Sequence, residues 1–275
     1  LYQFTSEWDP VYGVSTWEDF RNFFRVAYET IHRNDPKACI LLMPGDLEGA
    51  LRNGMAEFSD AISEHSYVGF PVEANGLVER CRRKVRMVRE LAGKDMPFYG
   101  TEFGFSTHGL PEREGIQMYG MVRGALIMLG EGWRSNSLFK GADYRNEMGY
   151  GFSYNLDYDA HHSDMSPTRT SPKPVMPALD AMINCVEGHN SVGPVEFLGD
   201  TVLGYVLKAE DGHTVMPLWD YGDGSRVTVE VGREQVEVAD MMGNLRTVKA
   251  PGGRLTLDLS EAPQYVLDVN PEAWT

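Results

Sequence analysis

The sequence predicts an α/β fold over residues 1–190, followed by a small antiparallel β-sandwich over residues 191–275. In the first region, short apolar runs alternate with longer segments whose apolar residues recur every three or four positions. This alternation is typical of parallel strands joined by helices. In the second region, apolar residues recur at every second position between glycine-containing turns, which favours short antiparallel strands.

Five segments of the first region have the apolar spacing of helices that bury one face. They lie at about residues 16–34, 47–58, 75–92, 113–129 and 174–186. The first is the clearest, because its aromatic residues fall on one face and a capping start is offered by Ser15 or Thr16 with Glu18 or Asp19.

The apolar runs between these helices are predicted to be parallel strands buried on both faces. They end at Glu7, Met43, Tyr67, Gly104 and near Phe139. In two of these regions a glutamate, Glu7 or Glu102, stands at the end of the apolar run. Since the carboxyl ends of parallel strands meet at one rim, both side chains are expected to reach the same site. A plainer interpretation of Glu102 is a strand-end acid that caps the following helix.

The second region is predicted to contain seven short strands, which lie at residues 195–200, 202–208, 214–219, 227–231, 236–238, 255–259 and 265–269. The turns between them include residues 220–224, 242–244 and 251–253, each of which contains glycine.

Charge and composition exclude several functions. The net charge of −15 argues against binding to nucleic acid or anionic membranes, and it is compatible with neutral sugars. The basic cluster from Arg80 to Arg89 is therefore interpreted as a solvated helix face. No apolar run approaches the length of a membrane span. Because there is no phosphate-binding glycine loop, no Gly-x-Ser-x-Gly stretch and no CxxC pair, no cofactor is predicted.

The two glutamate stretches resemble motifs of the retaining glycoside hydrolases of the (β/α)8-barrel clan. Ser6–Trp8 is similar to the motif that ends the fourth barrel strand, and Thr101–Gly104 is similar to the motif that ends the seventh. The resemblance implies that Glu7 is the acid/base and Glu102 the nucleophile. The 95 positions from 7 to 102 suit three βα units of about 30 residues each.

The same resemblance implies a sugar-binding site around the two glutamates. The residues implied to bind substrate are Ser6, Trp8, His65, Tyr67, Phe139 and Tyr144. Ser6 is a departure, since the clan usually has asparagine before the acid/base, where it binds the sugar 2-hydroxyl. The plainer alternatives are a hydrogen-bonded strand end for His65 and Tyr67, and core packing for the aromatic residues near Phe139.

A closed barrel of this kind has eight strands, whereas the sequence offers five. The resemblance therefore implies that residues 1–190 supply strands four to eight, without the first three βα units. Five parallel apolar strands alone would leave two unpaired edges. We expect the missing strands to come from a second polypeptide or from an upstream segment; the alternative is an open sheet or assembly with a second copy.

The polar loop from Asp157 to Asp164 is the candidate for a cation site, because oxygen ligands at alternate positions suit calcium. It lacks the glycine and the closing glutamate of the helix–loop–helix calcium motif. A solvated loop is therefore favoured, and no metal is predicted.

Two functions remain open on the sequence alone. The first is a retaining glycosidase that cleaves β-linked sugars or polysaccharide by a two-glutamate mechanism. The second is an inactive carbohydrate-binding protein on the same barrel and sandwich scaffold, which the serine at Ser6 would permit.

Overall fold

The computed structural model describes residues 1–3, 16–143, 149–156, 169–196 and 198–270. The chain forms two compact units that interleave along the sequence. One consists of Leu1–Ser66, Val78–Glu102 and Trp133–Asn136, and the other of Tyr67–Leu77, Phe103–Gly132 and Ser137–Thr275.

A five-stranded sheet occupies the first half of the chain, and its strand order follows the chain order. The strands are β1 (Tyr2–Gln3), β2 (Ile40–Leu42), β3 (Ala61–His65), β4 (Phe98–Phe103) and β5 (Asn136–Leu138). Strands β1 to β4 pair in parallel. This is the arrangement of successive βα units, so the predicted α/β fold is confirmed, and the described residues contain the five strands that were expected.

Helices connect these strands. They are α1 (Trp17–Asn34), α2 (Leu47–Arg52), α3 (Leu77–Ala92) and α4 (Glu114–Gly130), and a fifth helix, α5 (Val175–Val186), follows the last strand of the sheet. The start of α1 is confirmed as a capping box, in which the Asp19 amide donates to Thr16 Oγ1 at 3.1 Å and the Thr16 amide donates back to the Asp19 carboxylate. The second helix is shorter than predicted. Gly54 has a φ of 76°, a left-handed conformation that ends the helical path, and a 3₁₀ turn (Met55–Phe58) follows it.

Helix α4 is buried along most of its length and not on one face alone, because most of its residues are apolar or glycine. Gly124 allows this helix to lie directly against Phe103, since a Cβ added there would be 2.1 Å from the ring. A larger residue at Gly124 would push the helix away from the residue that directly follows Glu102.

The last third of the chain folds into two antiparallel sheets. A short antiparallel pair, β6 (Ser153–Asn155) and β7 (Thr170–Pro172), precedes them. The strands of the two sheets are β8 (His189–Pro194), β9 (Val202–Ala209), β10 (Thr214–Asp220), β11 (Ser225–Glu230), β12 (Gln235–Ala239), β13 (Leu245–Lys249), β14 (Arg254–Leu259) and β15 (Gln264–Leu267). Six strands are ordered β13-β12-β15-β10-β9-β8, and β11 pairs with β14. Side chains from both sheets form one apolar core, which is the packing of a sandwich.

Two strands of this region were not predicted. The described residues of 195–200 are not a strand, and the first strand is instead β8; strand β13 was missed altogether. Both are the edges of the six-stranded sheet. Edge strands bury less side-chain area, and β13 is exposed along most of its length, so the apolar alternation that reveals inner strands is weak there.

None of the three cysteines forms a disulfide; Cys81 is buried, whereas Cys39 and Cys185 are half-buried. Within the part of the chain that is described, no helix has both the length and the apolar character needed to cross a membrane.

Candidate active site

The site is built on the carboxyl ends of β3 and β4. His65 is the last residue of β3, and Glu102 lies one residue before the end of β4. The two residues face each other in the parallel pairing, and Nδ1 of His65 lies 3.6 Å from Oε2 of Glu102. The imidazole is almost buried at 6% exposure, whereas the carboxylate is 30% exposed. Glu102 is thus held at the rim by a buried neighbour and can still be reached from outside.

An irregularity in the sheet produces this pairing. Glu64 pairs with Gly100, but the next residue of β3, His65, pairs with Glu102 and passes over Thr101. One extra residue on β4 is a β-bulge, which redirects the side chains that follow it. In a regular register His65 would face Thr101. The bulge therefore sets the carboxylate opposite the imidazole.

A polar layer lies on β3 two residues before His65. Ser63 is 1% exposed, and its hydroxyl donates to Oε1 of Gln3 at 2.9 Å. The same hydroxyl is 2.5 Å from Oγ1 of Thr101. Residues two apart on a strand share a face, so these contacts lie on the same side of β3 as His65. They connect β1, the strand that leads toward Glu7, to the strand that carries Glu102.

The next candidate residues form an aromatic group in the other unit. Tyr67 and Phe139 both contact Tyr150, with ring centroids 6.3 and 5.6 Å apart. Tyr150 was not selected from the sequence, although an aromatic residue between two glycines in a polar loop was a signal. Gln117, which is fully buried, holds this loop by donating to the carbonyl of Gly149 at 2.9 Å.

Ser6, Glu7, Trp8 and Tyr144 lie outside the described residues, as does the loop from Asp157 to Asp164. Their predicted roles stay predictions. Elsewhere, among residues whose positions are described, no group of three or more His, Cys, Asp or Glu side chains is arranged to hold a metal ion.

The sequence matches no protein-family model and no curated protein. Solved structures do share the fold. A family 39 glycoside hydrolase from the gut symbiont Bacteroides cellulosilyticus WH2 is 17% identical with a TM-score of 0.68, over 98% of this chain and 57% of that one. The catalytic domain of GH30 xylanase C from Talaromyces cellulolyticus is 12% identical with a TM-score of 0.63, over 98% and 61%. The thermostable GH51 α-L-arabinofuranosidase from Thermotoga petrophila RKU-1 is 13% identical with a TM-score of 0.64, over 96% and 66%.

At these identities the similarity establishes the fold alone. The chain has the fold of the clan A glycoside hydrolases, a parallel sheet forming part of a (β/α)8 barrel together with antiparallel sheets. It spans between 57% and 66% of the length of these three structures. The resemblance drawn from the two glutamate motifs is thereby supported at the level of clan fold, and no individual family follows from it.

Proposed function

We propose that this chain is part of a retaining glycoside hydrolase that cleaves β-linked sugars or polysaccharide. Residues 1–190 would form strands four to eight of the catalytic barrel, and residues 191–275 the β-sandwich. The observation that carries the proposal is the position of Glu102: an accessible carboxylate beside buried His65, at the carboxyl rim of a parallel sheet whose fold is that of glycoside hydrolases.

Glu102 acts as the nucleophile in this mechanism. Its carboxylate attacks the anomeric carbon and forms a covalent glycosyl–enzyme, while Glu7 protonates the departing oxygen. Glu7 then removes a proton from the water that releases the sugar with retention of configuration. His65, 3.6 Å from Oε2, holds the orientation of the attacking carboxylate. The two carboxylates and water complete the reaction, so no cofactor is required.

The remaining candidates are assigned to substrate. Ser6 takes the position before the acid/base and hydrogen-bonds a sugar hydroxyl with a shorter reach than asparagine would have. Trp8 supplies an apolar wall beside Glu7. Tyr67 and Phe139, which share contact with Tyr150, supply aromatic surface for a sugar face. Tyr144 contributes to the same platform from the following loop.

The strands that complete the barrel are assigned to a second polypeptide or to an upstream segment. Two observations support this. The described sheet has five strands in place of eight, and the chain covers only 57% to 66% of the structures that share its fold.

The test is covalent trapping with 2-deoxy-2-fluoro glycosides that carry an activated leaving group, offered as a panel of β-linked sugars. The fluorine slows both steps and the activated group rescues the first, so the intermediate accumulates on the nucleophile. We expect a mass increase of one fluoro-sugar on the peptide that contains Glu102. Glu102→Gln should abolish labelling, and Glu57→Gln, which changes an exposed carboxylate, should not. Labelling of a different carboxylate, or of none by any sugar in the panel, contradicts the proposal.

A further inference from the structure

A cavity of about 540 Å³ lies beside the candidate site, within the unit that contains His65 and Glu102. Its wall is formed by the ends of β2 and β3 and by the helices that follow them, and it includes Met43, Met87 and His65 itself. The volume is within the roughly 300–1,000 Å³ range of small-molecule sites. Nδ1 of His65 also lies 3.6 Å from the Glu102 carboxylate, so this one residue links the cavity to the proposed nucleophile.

Most charged side chains of the cavity wall are already paired. Glu64 on β3 forms an ion pair with Lys84 on α3, and both are largely buried, at 9% and 19% exposure. Glu48 pairs with Arg52 at 2.7 Å. Asp46 caps the start of α2 by accepting from the backbone amide of the first turn. The cavity therefore presents donors and acceptors that are held in place by partners within the protein.

Arg83 is different. It lines the cavity from an exposed position on α3, and no carboxylate in the described residues pairs with its guanidinium. The surrounding helix is also strongly basic, with five arginines and one lysine against two glutamates, in a chain whose net charge is −15. The positive charge of α3 raises the concentration of anions near the cavity. A guanidinium presents two parallel N–H donors that match a carboxylate.

We propose that this cavity binds a carboxylate-bearing sugar unit, a uronic acid, of the substrate. Arg83 pairs with the sugar carboxylate, and the Glu64–Lys84 pair accepts from and donates to sugar hydroxyls. The inference deepens the proposed function and rests on it, because it names the substrate class of that site. It follows from a cavity of sugar-binding size, lined by the residue that lies beside the proposed nucleophile, with one forked cation at its mouth that pairs with no carboxylate of the described residues.

The experiment compares two probes that differ only at the carboxyl group of the uronic acid. One is a β-linked xylo-oligosaccharide that carries glucuronic acid, and the other is the same oligosaccharide with the carboxylate reduced to an alcohol. Binding is measured by calorimetry on the Glu102→Gln protein, so turnover does not interfere. We expect the acid to bind about tenfold more tightly than its reduced form, as a charge-assisted hydrogen bond at a solvent-accessible position would give.

Arg83→Gln should remove this preference and leave the affinity for the reduced probe unchanged, while Arg83→Lys should retain part of it. Arg86→Gln is the matched control, since Arg86 is exposed on the same helix, pairs with Glu79 and does not line the cavity. It should leave both affinities unchanged. Met87→Trp, which fills the cavity, should weaken both probes.

Three results would overturn the inference: equal affinity for the two probes, no measurable binding of either, or equal losses in Arg83→Gln and Arg86→Gln, which would indicate only a diffuse basic helix. The outcome is separable from the test of the proposed function. If Glu102 is labelled but the probes bind equally, the uronic acid site alone is wrong. If Glu102 is not labelled while Arg83 still discriminates, the cavity is a uronic acid site and the hydrolase proposal is wrong.

Discussion

Two carboxylates, one in each compact unit, have opposite surroundings. Glu102 is 30% exposed and has an imidazole at 3.6 Å. Glu73 is 2% exposed and lies against Arg123, which is fully buried, with Nε 3.0 Å from the carboxylate. The indole of Trp219 also donates to Glu73 at 2.7 Å. The first carboxylate is accessible to a reactant, whereas the second is sealed by its partners.

The difference separates a group suited to chemistry from one that holds the fold. Burial raises the pKa of Glu73, against the opposing charge of Arg123. Burial also lowers the pKa of Arg123. Both charges have therefore lost water, and each is compensated mainly by the other, with Glu261 as a second acid 3.6 Å from Nη1 of Arg123. Substitutions at Glu102 should change activity with little effect on stability, and substitutions at Glu73 should do the reverse.

The largest expected effect is on turnover. Glu102→Gln removes the proposed nucleophile from both steps, so the turnover of every glycoside substrate should fall by roughly 10⁴-fold or more. The free energy of unfolding should change by less than about 1 kcal/mol, because the side chain is at the rim. Steady-state kinetics and urea unfolding measure the two quantities. A variant that loses stability but keeps its turnover would reverse the assignment of roles.

The second effect depends on the leaving group. Glu7→Ala removes the proposed acid/base. It should therefore spare the first step for an activated aryl glycoside and slow the reaction of a natural substrate, with a contrast of ~10²–10⁴-fold. Added azide should accelerate the second step by replacing water and should give a β-glycosyl azide from a β-linked substrate. Equal losses on both substrates without azide rescue would mean that Glu7 is not the acid/base.

The third effect is on stability. Glu73→Ala leaves the buried Arg123 charge with only the half-exposed Glu261 as an acidic partner, 3.6 Å from Nη1. Breaking a buried ion pair in this way typically costs about 3–5 kcal/mol. Glu57→Gln is the control, since Glu57 pairs with Arg21 at an exposed position and should cost less than about 1 kcal/mol. Urea unfolding measures both losses of stability, as shifts of the midpoint at an unchanged dependence of the unfolding free energy on urea concentration. If the two variants lost similar stability, the contrast between sealed and exposed pairs would be wrong.

The smallest effect concerns an exposed pair in the sandwich. His213 Nδ1 lies 2.7 Å from Asp268, and the hydrogen bond and negative charge of Asp268 raise the pKa of His213 above its ordinary value. The His213–Asp268 pair therefore contributes its full stabilisation below the pKa of His213 in the unfolded chain. That contribution is lost as the pH rises through the pKa of His213 in the folded protein. Titration by NMR should show the raised pKa in the native protein and a lower one in Asp268→Asn. Asparagine tolerates the left-handed backbone at residue 268, where φ is 54°. An unchanged pKa in this variant would contradict the pairing.

The sequence was most informative where one local pattern decides the structure. The parallel strands and the start of α1 at Thr16 followed from apolar runs and capping residues. Strands β8 and β13 did not, because both are edges whose side chains are largely polar or exposed. The break at Gly54 required a left-handed backbone that the helical spacing alone does not reveal.

The candidate site was predicted in part for the same reason. Glu102 and His65 could be placed at neighbouring strand ends, but the bulge at Thr101 that sets their pairing has no sequence pattern of its own. The cluster of Glu73, Arg123 and Trp219 joins residues separated by 50 and 146 positions, so no local signal could reveal it. Arg83 was interpreted as a solvated residue of a basic helix, because the cavity beside it is visible only in three dimensions.

The central claim is tested most directly by the distance between the carboxyl groups of Glu7 and Glu102. It should be measured in a crystal structure of the protein together with the strands that complete its barrel. The two-glutamate retaining mechanism requires the carboxyl groups to lie about 5–5.5 Å apart across one rim. We expect that value, with Glu102 still beside His65. A separation of more than about 10 Å, or carboxylates at opposite ends of the sheet, would contradict the mechanism.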